Sequence, residues 1–176
     1  MAKKREHYII DGYNFLHAAR ETDVRRGDFS EARDSLVHIL QEYGAYEKYD
    51  MTVVFDAPFT SDEGHREQLT PHFDIVYTGE GETADSYIER LAYASVRESH
   101  EVHVVTSDGA EQSTILGAGA YRISSAELWR RVRRTKKKIA DEYLGEVTLP
   151  LLRNEVGSRL DSRTAAKLDE LRRKDR

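Results

Sequence analysis

The 176-residue chain carries a formal net charge of −5, with 39% hydrophobic and 34% charged residues. That profile suits one α/β domain with a solvated surface, with room for a helical appendage, and it argues against coating nucleic acid by bulk attraction. The absence of cysteine excludes disulfides, thiol nucleophiles and thiolate-bound zinc.

The basic start, Met1–Arg5, leads into a strand-like run and not into the apolar core of a signal peptide. No apolar run reaches the roughly eighteen residues of a membrane span. A cytoplasmic protein is expected. His7–Asp11 (HYIID) is short, apolar and followed by a glycine, which predicts a buried strand leading into a loop. Phe29–Tyr46 spaces Ala32, Leu36, Val37, Ile39, Leu40 and Tyr43 for a helix, with Asp28 or Ser30 as N-cap. Met51–Phe55 and Asp74–Tyr77 predict two more strands, separated by the long, charged segment Ala57–Pro71, which predicts a loop. Thr83–Glu98 predicts a helix with Ala84, Tyr87, Ile88, Leu91, Ala92 and Ser95 on one side. Glu101–Thr106 predicts a strand, Glu111–Leu116 a short helix and Ala120–Ile123 a last small strand.

Strands and helices alternate, and the strands are continuously apolar. That combination predicts a mainly parallel sheet covered on both faces. From Ser125 onward the pattern is helical, with Leu128, Val132, Ile139 and Tyr143 as an apolar stripe through the basic run. The expected division is an α/β domain over 1–125 and a basic helical extension over 126–176. The last stretch, about Gly157 to Arg176, is highly charged and has few apolar anchors.

Three carboxylates directly follow predicted strands: Asp11, Asp56 and Asp108. In an open parallel sheet the C-terminal strand ends share one edge, where ligands bind. Asp85 sits in the first turn of the helix beginning near Thr83, with Glu82 and Glu89 nearby. Clustered carboxylates repel and titrate upward unless a cation neutralises them. Mg²⁺ or Mn²⁺ suits an oxygen-only set, and such ions promote in-line attack on a phosphodiester. Each residue also has a plainer role: Asp11 and Asp108 as turn formers before glycine, Asp85 at a helix dipole, Asp56 as a loop entry. Recurrence of Asp after successive strands favours the shared site. The seven histidines show no metal-ligand spacing and are expected not to be ligands.

Four blocks carry a resemblance: IIDGYNFLH (Ile9–His17), VVFDA (Val53–Ala57), ETADSYI (Glu82–Ile88) and VVTSDG (Val104–Gly109). In this order they resemble the NYN domain of the PIN-like nuclease superfamily, and most of all the YacP-type NYN proteins of Gram-positive bacteria. The similarity extends to EARD at Glu31–Asp34, to Glu111–Gln112 and to the basic C-terminal helices. It implies a three-layer α/β/α PIN-like fold and Mg²⁺-dependent cleavage of RNA. A member of the family is a ribosome-associated endonuclease acting on mRNA in the A site, so mRNA and the ribosome are the implied partners. By this resemblance Asp11 and Asp85 match the principal catalytic acids, while Asp56 and Asp108 take further metal-site positions, Asp108 with a catalytic share. Asn14 is implied to orient Asp11 or a phosphate oxygen, and Thr106 and Ser107 to bond metal-held waters. Tyr13 is expected to pack.

The run Arg130, Arg131, Arg133, Arg134, Lys136, Lys137 and Lys138 is expected to contact ribosomal RNA or substrate phosphates, although a solvated helix face explains it equally. Two other readings stand beside the nuclease. A haloacid-dehalogenase-like phosphatase needs an Asp two residues after the first, where Tyr13 stands. A non-catalytic ribosome- or RNA-binding module of the same fold predicts binding without cleavage.

Overall fold

A computed structural model describes residues 5–20, 29–56, 64–98, 100–107, 117 and 119–147. In chain order these form β1 (His7–Asp11), α1 (Gly12–Arg20), α2 (Phe29–Glu47), β2 (Asp50–Phe55), β3 (His65–Thr70), β4 (Phe73–Tyr77), α3 (Ala84–Arg97), β5 (Val102–Val105), β6 (Tyr121–Ile123) and α4 (Ser125–Val147). The expected short helix at 111–116, the Asp28 cap, the Asp108 carboxylate and the C-terminal tail lie outside the described residues.

The six strands form one sheet in the order β3-β4-β2-β1-β5-β6. All neighbours pair in parallel except β3, which runs antiparallel to β4 at the edge. Because β1, β2 and β5 are central and parallel, both faces of each are covered. This explains their unbroken apolar runs: Ile9, Ile10, Val53, Val54, Val104 and Val105 are all fully buried. One face carries Tyr8, Ile10, Val53, Phe55 and Val105 against α1 (Phe15, Leu16, Ala19), α2 (Leu36, Leu40, Tyr43) and α4 (Leu128, Trp129, Val132). The other carries Ile9, Val54, Val76 and Val104 against α3 (Ala84, Ile88, Ala92). The architecture is the expected three-layer α/β/α sandwich.

Three expectations are corrected. The loop after Asp11 is instead helix α1, which starts at Gly12 and buries Phe15, Leu16 and Ala19. The long loop Ala57–Pro71 contains β3; its residues 57–63 lie outside the described residues. Five of the six β3 residues are exposed and the last is half-buried, so the strand exists through its ladder with β4 and not through burial of its side chains. On α4 the apolar stripe holds at Leu128 and Val132, but Tyr143 is 68% exposed.

The chain divides into two compact units, 1–135 and 136–176. The sheet, Asp11, Asp56 and Asp85 belong to the first. Among the described residues no helix is long and apolar enough to cross a membrane.

Candidate active site

Asp11 ends β1 and is 6% exposed. Its carboxylate is held on both oxygens by one residue. The backbone N–H of Asn14 donates to Oδ1 at 3.0 Å, and the Asn14 side-chain Nδ2 donates to Oδ2 at 2.6 Å. Asp11 thereby caps the first turn of α1, satisfying a backbone donor that has no partner within the helix. Gly12 is required for close approach: a Cβ there would collide with the Phe55 ring.

Burial raises the Asp11 carboxyl above the ordinary Asp value of 3.8. The two Asn14 bonds and a bond from the Tyr13 backbone oppose the rise, while the negative charge of Asp85 adds to it. Asp85 stands in the first turn of α3, where Thr83 is the N-cap and its hydroxyl accepts from the Ser86 N–H at 3.2 Å. The sequence argument expected mutual repulsion to dominate such a site; in the fold, desolvation of Asp11 is the larger cause.

Asp56, one residue past β2, is half-buried and accepts a hydrogen bond from Thr78 Oγ1 at 3.1 Å. Its charge acts on the Tyr13 phenol. Thr106, just after β5, is fully buried, with its N–H donating to the Ile123 carbonyl at 3.2 Å, and the neighbouring Ser107 is exposed. Thus Asp11, Asp56, Thr106 and Ser107 all follow parallel strands at the same sheet edge, and Asp85 joins them from α3.

Asp11 and Asp85 present oxygen donors only, the chemistry of a hard divalent ion that is held by one or two carboxylates and keeps its waters. A buried carboxyl raised by desolvation and by a second carboxylate is one that such a cation would fix in its ionised form. Among the described residues no group of three or more His, Asp or Glu side chains is arranged around a common point. The oxygen-donor chemistry of Asp11 and Asp85 suits such an ion, and Asp108 lies outside the described residues.

The same edge carries an aromatic cluster in which Tyr13 packs as expected and whose other members sequence reasoning left unassigned. Tyr13 meets Phe55 edge-on at 5.4 Å, and Phe55 stacks with Tyr77 at 5.8 Å. His65 of β3 stacks with Tyr77 at 6.5 Å, and the Arg33 guanidinium lies 5.7 Å from the centre of the Tyr77 ring. Register explains the gathering: Phe55 pairs with Tyr77 at the ends of β2 and β4, one position beyond the pairing of Asp11 with Val54. The available signal was Arg33 within EARD in the first turns of α2, where a lone Arg reads as a solvated residue.

The basic run lies on α4. Ser124 caps this helix, its Oγ accepting from the Glu127 N–H at 3.2 Å. Trp129 packs edge-on against Phe15 at 5.9 Å, and Thr135 Oγ1 donates to Glu47 Oε1 at 2.7 Å. These contacts fix one side of the helix and leave Arg130, Arg131, Arg133 and Arg134 exposed, Arg131 paired with Glu127. Lys136, Lys137 and Lys138 are exposed in the second unit.

The family model of the YacP-like NYN domain matches residues 8–173. YacP of Bacillus subtilis (strain 168) is 37% identical over 151 residues, covering 80% of this chain and 88% of that protein. The crystal structure of a point variant of Rae1 (YacP) from Bacillus subtilis superposes with a TM-score of 0.68 at 33% identity, over 84% of this chain and 86% of that one. A second Rae1 (YacP) crystal structure gives a TM-score of 0.59 at 32% identity, over 97% and 96%. The chain belongs to the YacP-like NYN domain family, a kinship that supports a nuclease-type function directed at RNA.

Proposed function

We propose that this protein is a metal-dependent endoribonuclease that cleaves mRNA phosphodiester bonds, and that it does so in the A site of the translating ribosome. The observation that supports the chemistry is a buried, doubly hydrogen-bonded Asp11 at the carboxyl edge of a parallel sheet, its carboxyl raised by burial and further by the charge of Asp85. The proposed cation is Mg²⁺ or Mn²⁺, held by Asp11 and Asp85 with Asp56 and Asp108 as further members of the set. When bound it lowers the pKa of a coordinated water and offsets charge developing on the scissile phosphate.

The chain's own residues do the positioning. Asn14 clamps both Asp11 oxygens, so the carboxylate cannot rotate away when substrate enters. Thr83 fixes the first turn of α3 and with it the approach of Asp85. Thr78 holds Asp56 facing the same edge. Ser107, exposed at the end of β5, offers a hydroxyl to water or phosphate. No side chain need act as a nucleophile, because water supplies the attacking oxygen. The exposed arginines of α4 are proposed to contact RNA phosphates, and a cytoplasmic site of action follows from the proposed substrate.

The test compares free mRNA with the same message on stalled ribosomes, using the full chain with Mg²⁺. Cleavage of ribosome-bound message, lost in Asp11→Asn while binding persists, is expected. Binding to ribosomes without cleavage under any divalent cation would reassign the protein as a non-catalytic module.

A further inference from the structure

The face of the sheet that meets α3 is apolar at Ile9, Val54 and Val76. Two residues earlier in the same strands, and so on the same face, stand His7, Thr52 and Asp74. This polar row and the last turns of α3, where Ala94 and the buried Ser95 are small, line a cavity of about 330 Å³. His7 opens β1 and Asp11 closes it, so the cavity lies at the sheet edge opposite the acidic one. Polar groups in such a row cost stability unless each finds a partner. The His7 ring has two, Ser95 Oγ at 3.1 Å and Thr52 Oγ1 at 2.9 Å. Arg66 donates to Asp74 Oδ2 at 2.7 Å, and the His72 ring meets Asp50 Oδ1 at 2.7 Å. Asp74 Oδ1 and His100 Nδ1, by contrast, are buried without a hydrogen-bond partner among the described residues, and both residues line the cavity. A carboxylate oxygen accepts only, and a ring nitrogen of neutral histidine is able to accept, so one donor group suits both.

The charge of the lining says what kind of donor fits. Asp50, Asp74 and Glu98 bring three carboxylates against the one guanidinium of Arg66, and with His72 protonated beside Asp50 the lining is still negative. Burial lowers the His7 pKa to about 4, so that ring adds no positive charge at neutral pH. α3 ends at the cavity with Glu98 as its C-cap, which adds the negative end of the helix dipole. An anion is therefore repelled and a cation drawn in. Among the described residues no three His, Asp or Glu side chains are placed to hold a metal ion, so a bare metal is a poor match. Leu91, Ala94 and Pro71 supply apolar wall, which a hydrated inorganic ion cannot use and a methylene chain can. We propose that this cavity binds a short aliphatic polyamine, with an ammonium group on Asp74 and the methylene chain against Leu91 and Ala94. The site is separate from the proposed nuclease centre and does not depend on that reading.

The experiment titrates putrescine into the full chain by calorimetry, in metal-free buffer without RNA, with 1,4-butanediol as the comparison ligand. One saturable site is expected for putrescine and none for the diol, which has the same stem without the charge. Asp74→Asn keeps the shape of the side chain and removes its charge, and is expected to bind about ten-fold more weakly. Ala94→Leu leaves every charge in place and fills the cavity, and is expected to abolish binding. Ala94 is exposed on α3, so Ala94→Leu still reports if Asp74→Asn fails to fold. Asp11→Asn is expected to bind putrescine as wild type does. Absence of a saturable site, or equal affinity in wild type, Asp74→Asn and Ala94→Leu, overturns the proposal. Binding lost in Asp11→Asn and kept in Ala94→Leu also overturns it, by moving the ligand to the opposite sheet edge.

Discussion

Asp11 is the residue on which burial and charge pull hardest. Its raised pKa means the folded state favours the protonated form, so the ionised carboxylate costs stability. The sign follows directly: the contribution is favourable below the ordinary value of 3.8 and is lost as pH rises through the raised value. Asp11→Asn should therefore unfold at a higher temperature than wild type at pH 7 in metal-free buffer, with the gap closing as pH falls; calorimetry across that range decides it. Removing the bonds that favour ionisation should move the group further, so Asn14→Ala should raise the Asp11 pKa and Asp85→Asn should lower it, as read from carboxyl carbon shifts by NMR. No shift in either variant would mean that neither neighbour acts on Asp11. At this scale the sequence was informative about identity and silent about cause. Asp-after-strand pointed to Asp11 and Asp56, but that Asn14 would cap with both its backbone and its side chain depends on α1 starting at once. The place of Arg33 beside Tyr77 was unreadable because Tyr13 and Tyr77 are distant from it in sequence.

Elements became legible wherever burial dictated composition. β1, β2, β4 and β5 are covered on both faces and so announce themselves as apolar runs, and α3 shows its inward side as Ala84, Ile88 and Ala92. β3 gives no such signal, since HREQLT is specified by backbone pairing with β4 at an exposed edge. α1 was hidden because a glycine after a strand ordinarily starts a loop. Here Gly12 is chosen for lack of a Cβ against Phe55, and Gly12→Ala should cost about 1–3 kcal/mol by overpacking, seen as a lower urea midpoint. At the opposite end of β1, His7 joins three elements: its ring lies 3.1 Å from Ser95 Oγ on α3 and 2.9 Å from Thr52 Oγ1 on β2. Burial lowers its pKa from 6.5 to about 4. The neutral ring stabilises the fold fully above pH 6.5, and that stability is lost as pH falls towards 4, about 3 kcal/mol in all. Urea unfolding of wild type and His7→Asn at pH 7 and 4.5 should show the acid loss in wild type only; equal losses would place the sensitivity elsewhere.

For the whole molecule the decisive feature is the separation of charge within an acidic protein. Carboxylates gather at one sheet edge, while Arg130, Arg131, Arg133 and Arg134 stand exposed on α4. If those arginines hold RNA, the dependence of log affinity on log salt should flatten by roughly 0.7 for each phosphate contact removed on replacement by Gln. An unchanged slope would return the run to the role of a solvated helix face. The central claim is that Asp11 and Asp85 together make a centre for phosphodiester hydrolysis. Its most direct measurement is the rate of RNA cleavage by wild type and Asp85→Asn across a Mg²⁺ titration, with folding of both checked by circular dichroism. The account predicts hydrolysis that rises with Mg²⁺, vanishes with chelator and falls at least a hundred-fold in the variant, a loss of roughly 2.7 kcal/mol in transition-state stabilisation. Cleavage indifferent to Mg²⁺, or undiminished in Asp85→Asn, would contradict it.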